Sequence, residues 1–206
     1  KTSNLNTLLT NAQQAINAVN VKNTAYNNAV NDRMLAFKPL KPLATRIINS
    51  LNATDATDEV VKDAKAINRK IQGQRAKAIE VPTNPNTPAP NTISTSQQSY
   101  DQQIEHLDKL VILLQSEASY QPNEADLNLA SIDNLKNDLK AKNDAVTSSY
   151  TDISNTRIAR NEILYKSKTG LYDIALDVKQ YVKSIFGASS PQYKQVSGVK
   201  FTPLKK

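Results

Sequence analysis

Two octets of the sequence carry the residues best suited to chemistry. YNNAVNDR (residues 26–33) and YTDISNTR (residues 150–157) each place an arginine seven residues after a tyrosine. Positions +3 and +7 share one face of a helix with the tyrosine, so Arg33 and Arg157 are predicted to lie along helical seams. A buried arginine needs a partner for its charge and its five N–H donors. That partner is either a carboxylate of the protein, which would set the helix register, or a bound anion, and we favour the carboxylate.

The two octets also indicate a weak internal two-fold repeat. In each half of the sequence a long helix with the Tyr/Arg pattern leads through a break into a shorter amphipathic helix. We interpret this as the duplication of a helical hairpin. If the two long helices pack together, their Tyr/Arg stripes would meet and form a polar layer in the bundle.

A second group of candidate anion-binding residues is the basic cluster in NRKIQGQRAK, which contains Arg69, Lys70, Arg75 and Lys77. Nucleic-acid-binding segments normally add stacking aromatic residues or a helix that reads the bases, and this segment has neither. Basic residues near the end of a helix also complement the helix dipole, and we favour this structural interpretation. The C-terminal tail, which is basic and aromatic, gives a weak signal for a membrane surface or a partner. Docking of the tail back onto the bundle is the interpretation we favour.

Catalytic motifs are absent from the sequence, which has no GxGxxG, GxxxxGK[ST], GxSxG or HExxH. The single histidine, His106, lacks the second Glu-x-x-His pair that a di-iron bundle site requires, so we expect it to be solvated or at a helix edge. The sequence contains no cysteine, which excludes disulfides, thiolate metal sites and cysteine nucleophiles. We therefore predict a protein that is not an enzyme and has no catalytic residues, metal site or cofactor.

Composition favours helices, because only 4 of the 206 residues are glycine and aromatic residues make up 5%. The net charge of +7 mildly favours anionic partners such as nucleic acid, acidic lipid or an acidic protein. The charges are spread along the sequence, so we favour a surface with surplus lysines. No apolar run approaches the ~18 residues of a membrane span. Localisation stays open between the cytoplasm, which we favour slightly, and export after removal of a leader.

Apolar periodicity predicts two long helices and several shorter ones. The first long helix covers about residues 3–37, and a 3.5-residue period over five heptads predicts a coiled-coil-like seam. Its seam residues are Leu5, Leu9, Ala12, Ile16, Val19, Tyr26, Val30 and Phe37. The second long helix follows a cap at Asn123 and ends near residue 166, with Leu135, Leu139, Val146 and Ile153 along its seam.

A shorter helix is predicted at about residues 43–51. A second one runs from a cap at Asp55 or Thr57 to about residue 72, and a third one follows a cap at Ser94 or Thr95. Another is predicted at about residues 171–186, with an apolar stripe of Leu171, Ile174, Val178, Tyr181, Val182 and Ile185. The four prolines of residues 80–94 predict a linker or long loop. It separates an N-terminal helical half (1–79) from a C-terminal half (95–206), and we expect both to share one elongated all-α bundle.

Three phrases of the sequence, INRKIQGQR, ISTSQQSYDQQIEHL and YVKSIFGASSPQYKQVSG, resemble an uncharacterised all-helical protein family of Bacteroidetes-type bacteria. That family has no assigned activity, so the resemblance implies a bacterial origin and an elongated helical fold. From the residues themselves we expect a non-enzymatic structural or protein-interaction module, which binds a protein partner or self-associates. The alternative is a basic surface that binds an anionic polymer such as nucleic acid, or a membrane surface.

Overall fold

The computed structural model describes residues 2–74 and 97–204 of the chain. Within these ranges the chain forms helices and no strands, which confirms the predicted all-α class. The predicted proline-rich linker, residues 80–94, lies outside the described residues. The helices are α1 (Thr2–Phe37), α2 (Leu40–Asn52), α3 (Asp58–Gln72), α4 (Tyr100–Ser116), α5 (Leu129–Tyr165), α6 (Leu171–Phe186) and α7 (Pro191–Ser197).

Prolines separate α1 from α2, as the sequence predicts, but α2 begins earlier than expected. The prediction placed its start near residue 43, whereas the helix begins at Leu40, with Pro39 at the N-cap. Pro42 therefore lies in the first turn of α2. A proline is tolerated there because the first N–H groups of a helix have no intrahelical acceptor.

Local capping chemistry sets the ends of α3, which agree with the prediction. The side chain of Thr57 accepts a hydrogen bond from the backbone N–H of Val60. At the other end Gly73 has a φ of 75°, a left-handed conformation that favours glycine. Similarly, Gly187 follows α6 and Ser190 caps α7.

The predicted caps of α4 and α5 are wrong, because other polar residues nearby perform this role. Helix α4 begins at Tyr100, and Ser99 accepts the N–H of Gln102 there, whereas the predicted caps Ser94 and Thr95 lie outside the described residues. At the start of α5 the Oδ1 of Asn128, rather than Asn123, accepts the N–H of Ser131 at 2.8 Å. Each segment offers several Ser, Thr or Asn residues with the same local capping ability. The path of the backbone decides which of them meets the free N–H groups.

The chain divides into two compact units: unit 1 is Lys1–Asn28 with Thr147–Lys206, and unit 2 is Ala29–Val146. The division falls inside α1 and α5, so both long helices contribute to both units. Unit 2 draws helices from both sides of the proline-rich segment. The internal repeat stays a prediction.

Unit 2 contains a closed apolar core. Helix α3 packs against both α2 and α4, so residues from both sides of the proline-rich segment share this core. The loop before α5 is also fastened to it, because the buried hydroxyl of Tyr120 donates to the carbonyl oxygen of Leu127 at 2.7 Å. Burial raises the pKa of Tyr120 to about 12. Fully buried members of the core include Leu40, Ile47, Leu51, Ile71, Leu107, Leu110, Leu114, Ile132 and Leu139.

Unit 1 buries far less of its apolar surface. Its part of α1 contacts its part of α5, where the rings of Tyr26 and Tyr150 lie 5.9 Å apart and the Nζ of Lys22 lies 2.7 Å from a carboxylate oxygen of Asp152. Helices α6 and α7 contain no buried residue. The helix predicted at residues 171–186 is therefore present as α6. Its apolar stripe, however, is not buried in a hydrophobic core.

The seam predicted for α1 is correct in unit 1 for Ala12, Val19 and Tyr26 but wrong for its other three members there. Leu5, Leu9 and Ile16 are exposed, while Ala12 is buried. The less exposed positions instead follow the neighbouring stripe, which runs through Leu8, Ala12, Ala15, Val19, Lys22 and Tyr26. Both stripes have the 3.5-residue period, so periodicity alone does not choose between them.

The surplus positive charge is concentrated in unit 1, in contrast to the even distribution expected from the sequence. Unit 1 carries 12 Lys and Arg residues against 4 Asp and Glu, whereas unit 2 carries 14 against 15. Unit 2 is therefore almost neutral. The net positive charge of the protein therefore lies in unit 1, which also exposes most of the large apolar side chains that are exposed.

Candidate functional site

Arg33 lies in a polar cluster of unit 2, which also contains Tyr100, Asp101 and Asn143. The Nη1 of Arg33 donates to the Oδ1 of Asn143 at 2.9 Å, and the Nδ2 of Asn143 donates to the Oδ1 of Asp101 at 2.7 Å. The guanidinium carbon lies 4.0 Å from the centroid of the Tyr100 ring, a distance typical of a cation–π contact. These contacts join α1, α4 and α5.

The geometry of this cluster favours a structural role for Arg33, with the amide of Asn143 as its hydrogen-bond partner in place of the carboxylate that we expected. Asn143 is buried, and it links the cation of Arg33 to the carboxylate of Asp101. The ring of Tyr100 in turn packs edge-on against Phe37, with centroids 4.7 Å apart. The Nε of Arg33 is buried without a hydrogen-bond partner among the described residues. Since the cluster already supplies an acceptor, a carboxylate and an aromatic face, it can fix the register of three helices.

Arg157 belongs to unit 1, and the position predicted for it along a buried helical seam is wrong. Its side chain is exposed in unit 1, four residues after the buried Ile153. The tyrosines of the two octets do meet, as Tyr26 and Tyr150. A guanidinium at the edge of a seam stays hydrated and avoids the cost of desolvation, which explains its exposed position.

We expect different stabilities for variants of the two arginines. Arg33→Ala leaves the buried Oδ1 of Asn143 without its donor and should lower the free energy of unfolding by about 1–3 kcal/mol. Arg157→Ala is the matched control and should change it by less than about 0.5 kcal/mol. Urea denaturation followed by circular dichroism measures both values. Equal losses for the two variants would contradict the assignment of Arg33 to the polar cluster.

The basic cluster is only partly described. Arg69 and Lys70 are exposed in the last turn of α3, where basic side chains complement the helix dipole. The backbone carbonyl of Lys70 accepts a hydrogen bond from the Nε2 of Gln98 at 2.7 Å. Arg75 and Lys77 lie outside the described residues. Anion binding by this cluster stays a prediction.

His106 is buried, in contrast to the solvated or helix-edge position expected from the sequence. Its exposure is 3%, and neither ring nitrogen has a hydrogen-bond partner in the described part of the chain. Burial lowers the pKa of His106, and the nearby charges of Lys70 and Lys109 lower it further. The imidazole is therefore held in its neutral form, inside the helical core of unit 2.

A cleft with a volume of about 580 Å³ lies in unit 2. Two prolines and two leucines form half of its lining residues, and its two charged groups, Arg46 and Asp126, bind each other. The described ranges contain no group of three or more His, Cys, Asp or Glu residues that could hold a metal ion. This cleft therefore offers no convergent set of free reactive groups.

The C-terminal segment packs beside α6 in unit 1. The Nζ of Lys179 donates to the carbonyl oxygens of Ser197, at 3.3 Å, and of Val199. The same ammonium group lies 5.1 Å from the ring centroid of Phe201. Docking of the tail onto the protein is thus observed as far as the described residues extend. Lys205 and Lys206 lie outside them.

Sequence reasoning missed the features that distinguish unit 1, namely its exposed apolar residues and its positive charge. Both features depend on which segments of the chain pack together into unit 1, and these segments are far apart in the sequence. None of the helices we describe has the length and apolar character needed to cross a membrane. Comparison of the chain with protein-family models, with curated proteins and with solved structures gives no match.

Proposed function

We propose that this protein is a non-enzymatic structural or protein-interaction module with its binding surface in unit 1. The distribution of exposed apolar side chains supports this proposal. Among the described large apolar residues that are exposed, all except Met34, Leu35 and Ile112 belong to unit 1. Concentrations of exposed apolar side chains typically mark interaction sites.

The docking surface for a protein is the α1 stripe, which we define as Leu5, Leu9 and Ile16. The stripe lies beside the seam that α1 forms with α5, and it keeps helical spacing. An amphipathic helix of a partner would pack its apolar face against this stripe, as in helix-in-groove recognition. Residues 1–28 carry two lysines and no acidic residue. Because this local charge is low, it would not repel a second copy of the chain. The docking helix can therefore come from another protein or from a second copy.

A charged double substitution in the α1 stripe, Leu9→Glu with Ile16→Glu, should abolish this docking. Glutamates buried at an apolar interface would lose hydration without gaining a partner, so we expect an affinity loss of at least about tenfold. The measurement is sedimentation velocity for self-association, together with affinity capture from cells of the source organism at moderate and high salt. An apolar interface should survive high salt.

Met34→Glu is the matched control, since Met34 and Leu9 lie on the same helix and are both 55% exposed. The control should retain every partner that the wild-type protein retains. The proposal fails if the double variant and the wild-type protein show the same self-association and capture the same proteins. It also fails if neither self-association nor a salt-resistant partner is found.

The second candidate function is a basic surface that binds an anionic polymer or a membrane surface. The charge difference between the units favours this candidate, because the whole surplus of cations lies in unit 1. The basic cluster of α3 contributes little to it, since Arg69 and Lys70 belong to the almost neutral unit 2.

A further inference from the structure

Helix α6 presents an apolar surface that the rest of the described chain covers only in part. We define the α6 face as Leu171, Ile174, Val178, Tyr181, Val182 and Ile185, which recur at helical spacing. None of these residues is buried, and Tyr181 and Ile185 are 67% and 58% exposed. The apolar face of an amphipathic helix normally packs against a hydrophobic core, but this helix of 16 residues has no buried position.

The C-terminal segment of the chain reaches this face near Leu171, which lines a cleft together with Lys200, Phe201 and Thr202. It also contacts α6 through Lys179 and Lys183, one turn apart, which lie over the rings of Phe201 and Tyr193 at 5.1 and 5.9 Å. On a helical wheel these lysines fall to one side of the α6 face. Helix α7 and the following residues therefore pack mainly on the lysine side. The described tail also leaves Val199, Phe201 and Leu204 exposed.

Charge determines which kind of partner fits this apolar surface. Residues 166–206 contain eight lysines and only two acidic residues, Asp173 and Asp177. Asp173 is also engaged locally, because a carboxylate oxygen accepts the backbone N–H of Lys168 at 2.7 Å. A second copy of the same surface would bring an equal positive charge and would be repelled. The positive charge of the residues around α6 therefore favours a partner that is anionic as well as apolar.

Resting on the second candidate function, we infer that the α6 face and the basic tail bind the surface of an anionic lipid membrane. Such a surface combines negative headgroups with an apolar layer just beneath them, and amphipathic helices lie at this boundary. Tyrosine suits the position, because its ring is apolar and its hydroxyl remains hydrated. The lysines of the segment other than Lys179, whose ammonium group contacts the tail, would meet the anionic headgroups.

Lipid is favoured over nucleic acid and over an acidic protein by the form of this surface. Single-stranded nucleic acid would require side chains that stack on bases, and within the α6 face only Tyr181 can do so, since the other members are aliphatic. The exposed apolar residues also continue from α6 into the tail, as Val199, Phe201 and Leu204. A fluid lipid layer accepts such a spread of side chains without a matching shape, whereas a protein partner needs complementarity.

Co-sedimentation of the purified chain with lipid vesicles tests this inference. We expect binding to vesicles of phosphatidylcholine with phosphatidylglycerol, and at least about tenfold weaker binding to vesicles of phosphatidylcholine alone. Added salt should weaken the binding, since headgroup contacts are screened. The double variant Tyr181→Ser with Ile185→Ser should bind at least about tenfold more weakly, because both exposed side chains lose their apolar contact with the lipid.

Two control variants show whether vesicle binding belongs to the α6 face. Ile112→Ser, at a residue of unit 2 that is 57% exposed, should bind vesicles like the wild-type protein. The Leu9→Glu and Ile16→Glu variant should also bind them, so a failure of the α1 stripe is distinguishable from a failure of the α6 face. The inference is overturned if anionic vesicles do not bind, or if the Tyr181 and Ile185 double variant binds them like the wild-type protein. Retention of an acidic protein by the α6 face in the absence of vesicle binding would also overturn it.

Discussion

Leu110→Ala is expected to lower the free energy of unfolding by about 2–5 kcal/mol. Leu110 is fully buried in the core of unit 2, on α4, where α3 and α4 pack together. Truncation removes apolar contacts and leaves a cavity that the surrounding helices fill only in part. Urea denaturation followed by circular dichroism measures the loss.

Ile112→Ala is the matched control for this substitution. Ile112 lies two residues further along the same helix but is 57% exposed, so its truncation should change the stability by less than about 0.5 kcal/mol. The comparison also tests whether the two sides of the proline-rich segment are stabilised by one core. Similar small losses for both variants would show that the core of unit 2 does not carry the stability of the fold.

His106→Leu is expected to raise the free energy of unfolding at neutral pH by about 1–3 kcal/mol. The wild-type imidazole is 3% exposed, and both of its nitrogens lack a partner among the described residues. A leucine of similar size would keep the packing and remove two polar atoms that burial leaves unsatisfied. Urea denaturation at neutral pH measures the difference between the two proteins.

The same variant should lose part of the acid sensitivity of the fold. Burial holds the pKa of His106 in the folded protein below its ordinary value of 6.5, so the unfolded chain binds the proton more strongly. Protonation therefore favours unfolding, and the wild-type protein should lose stability as the pH falls below 6.5 towards the folded pKa. The His106→Leu variant should lose less over this window. Parallel stability curves for the two proteins would show that His106 does not titrate on unfolding.

Local sequence features determined most of the secondary structure. The 3.5-residue period of residues 3–37 predicted the long helix α1, and the break at Pro39 separates it from α2. Helix α3 begins after Thr57 and ends at Gln72 as expected, because capping and the left-handed conformation of Gly73 depend on only a few neighbouring residues. The choice of Ser99 as the cap of α4 was missed, since several nearby residues have the same local chemistry.

Tertiary structure decided which side chains are buried and which remain exposed for binding. Arg33 and Arg157 occupy equivalent positions in two similar octets, yet only Arg33 meets a buried asparagine and an aromatic ring. His106 has charged neighbours in the sequence but is buried where its helix packs against others.

Residue types and periods of the sequence by themselves determined that this protein is helical and where most of its helices end. Tertiary packing alone decided that Leu5, Leu9 and Ile16 are exposed and that the surplus charge lies in unit 1. The physical reason is that periodicity and capping are local properties, satisfied within a few turns of one helix. Burial and net charge of a surface depend on which distant segments pack together, and several pairings satisfy the same local pattern.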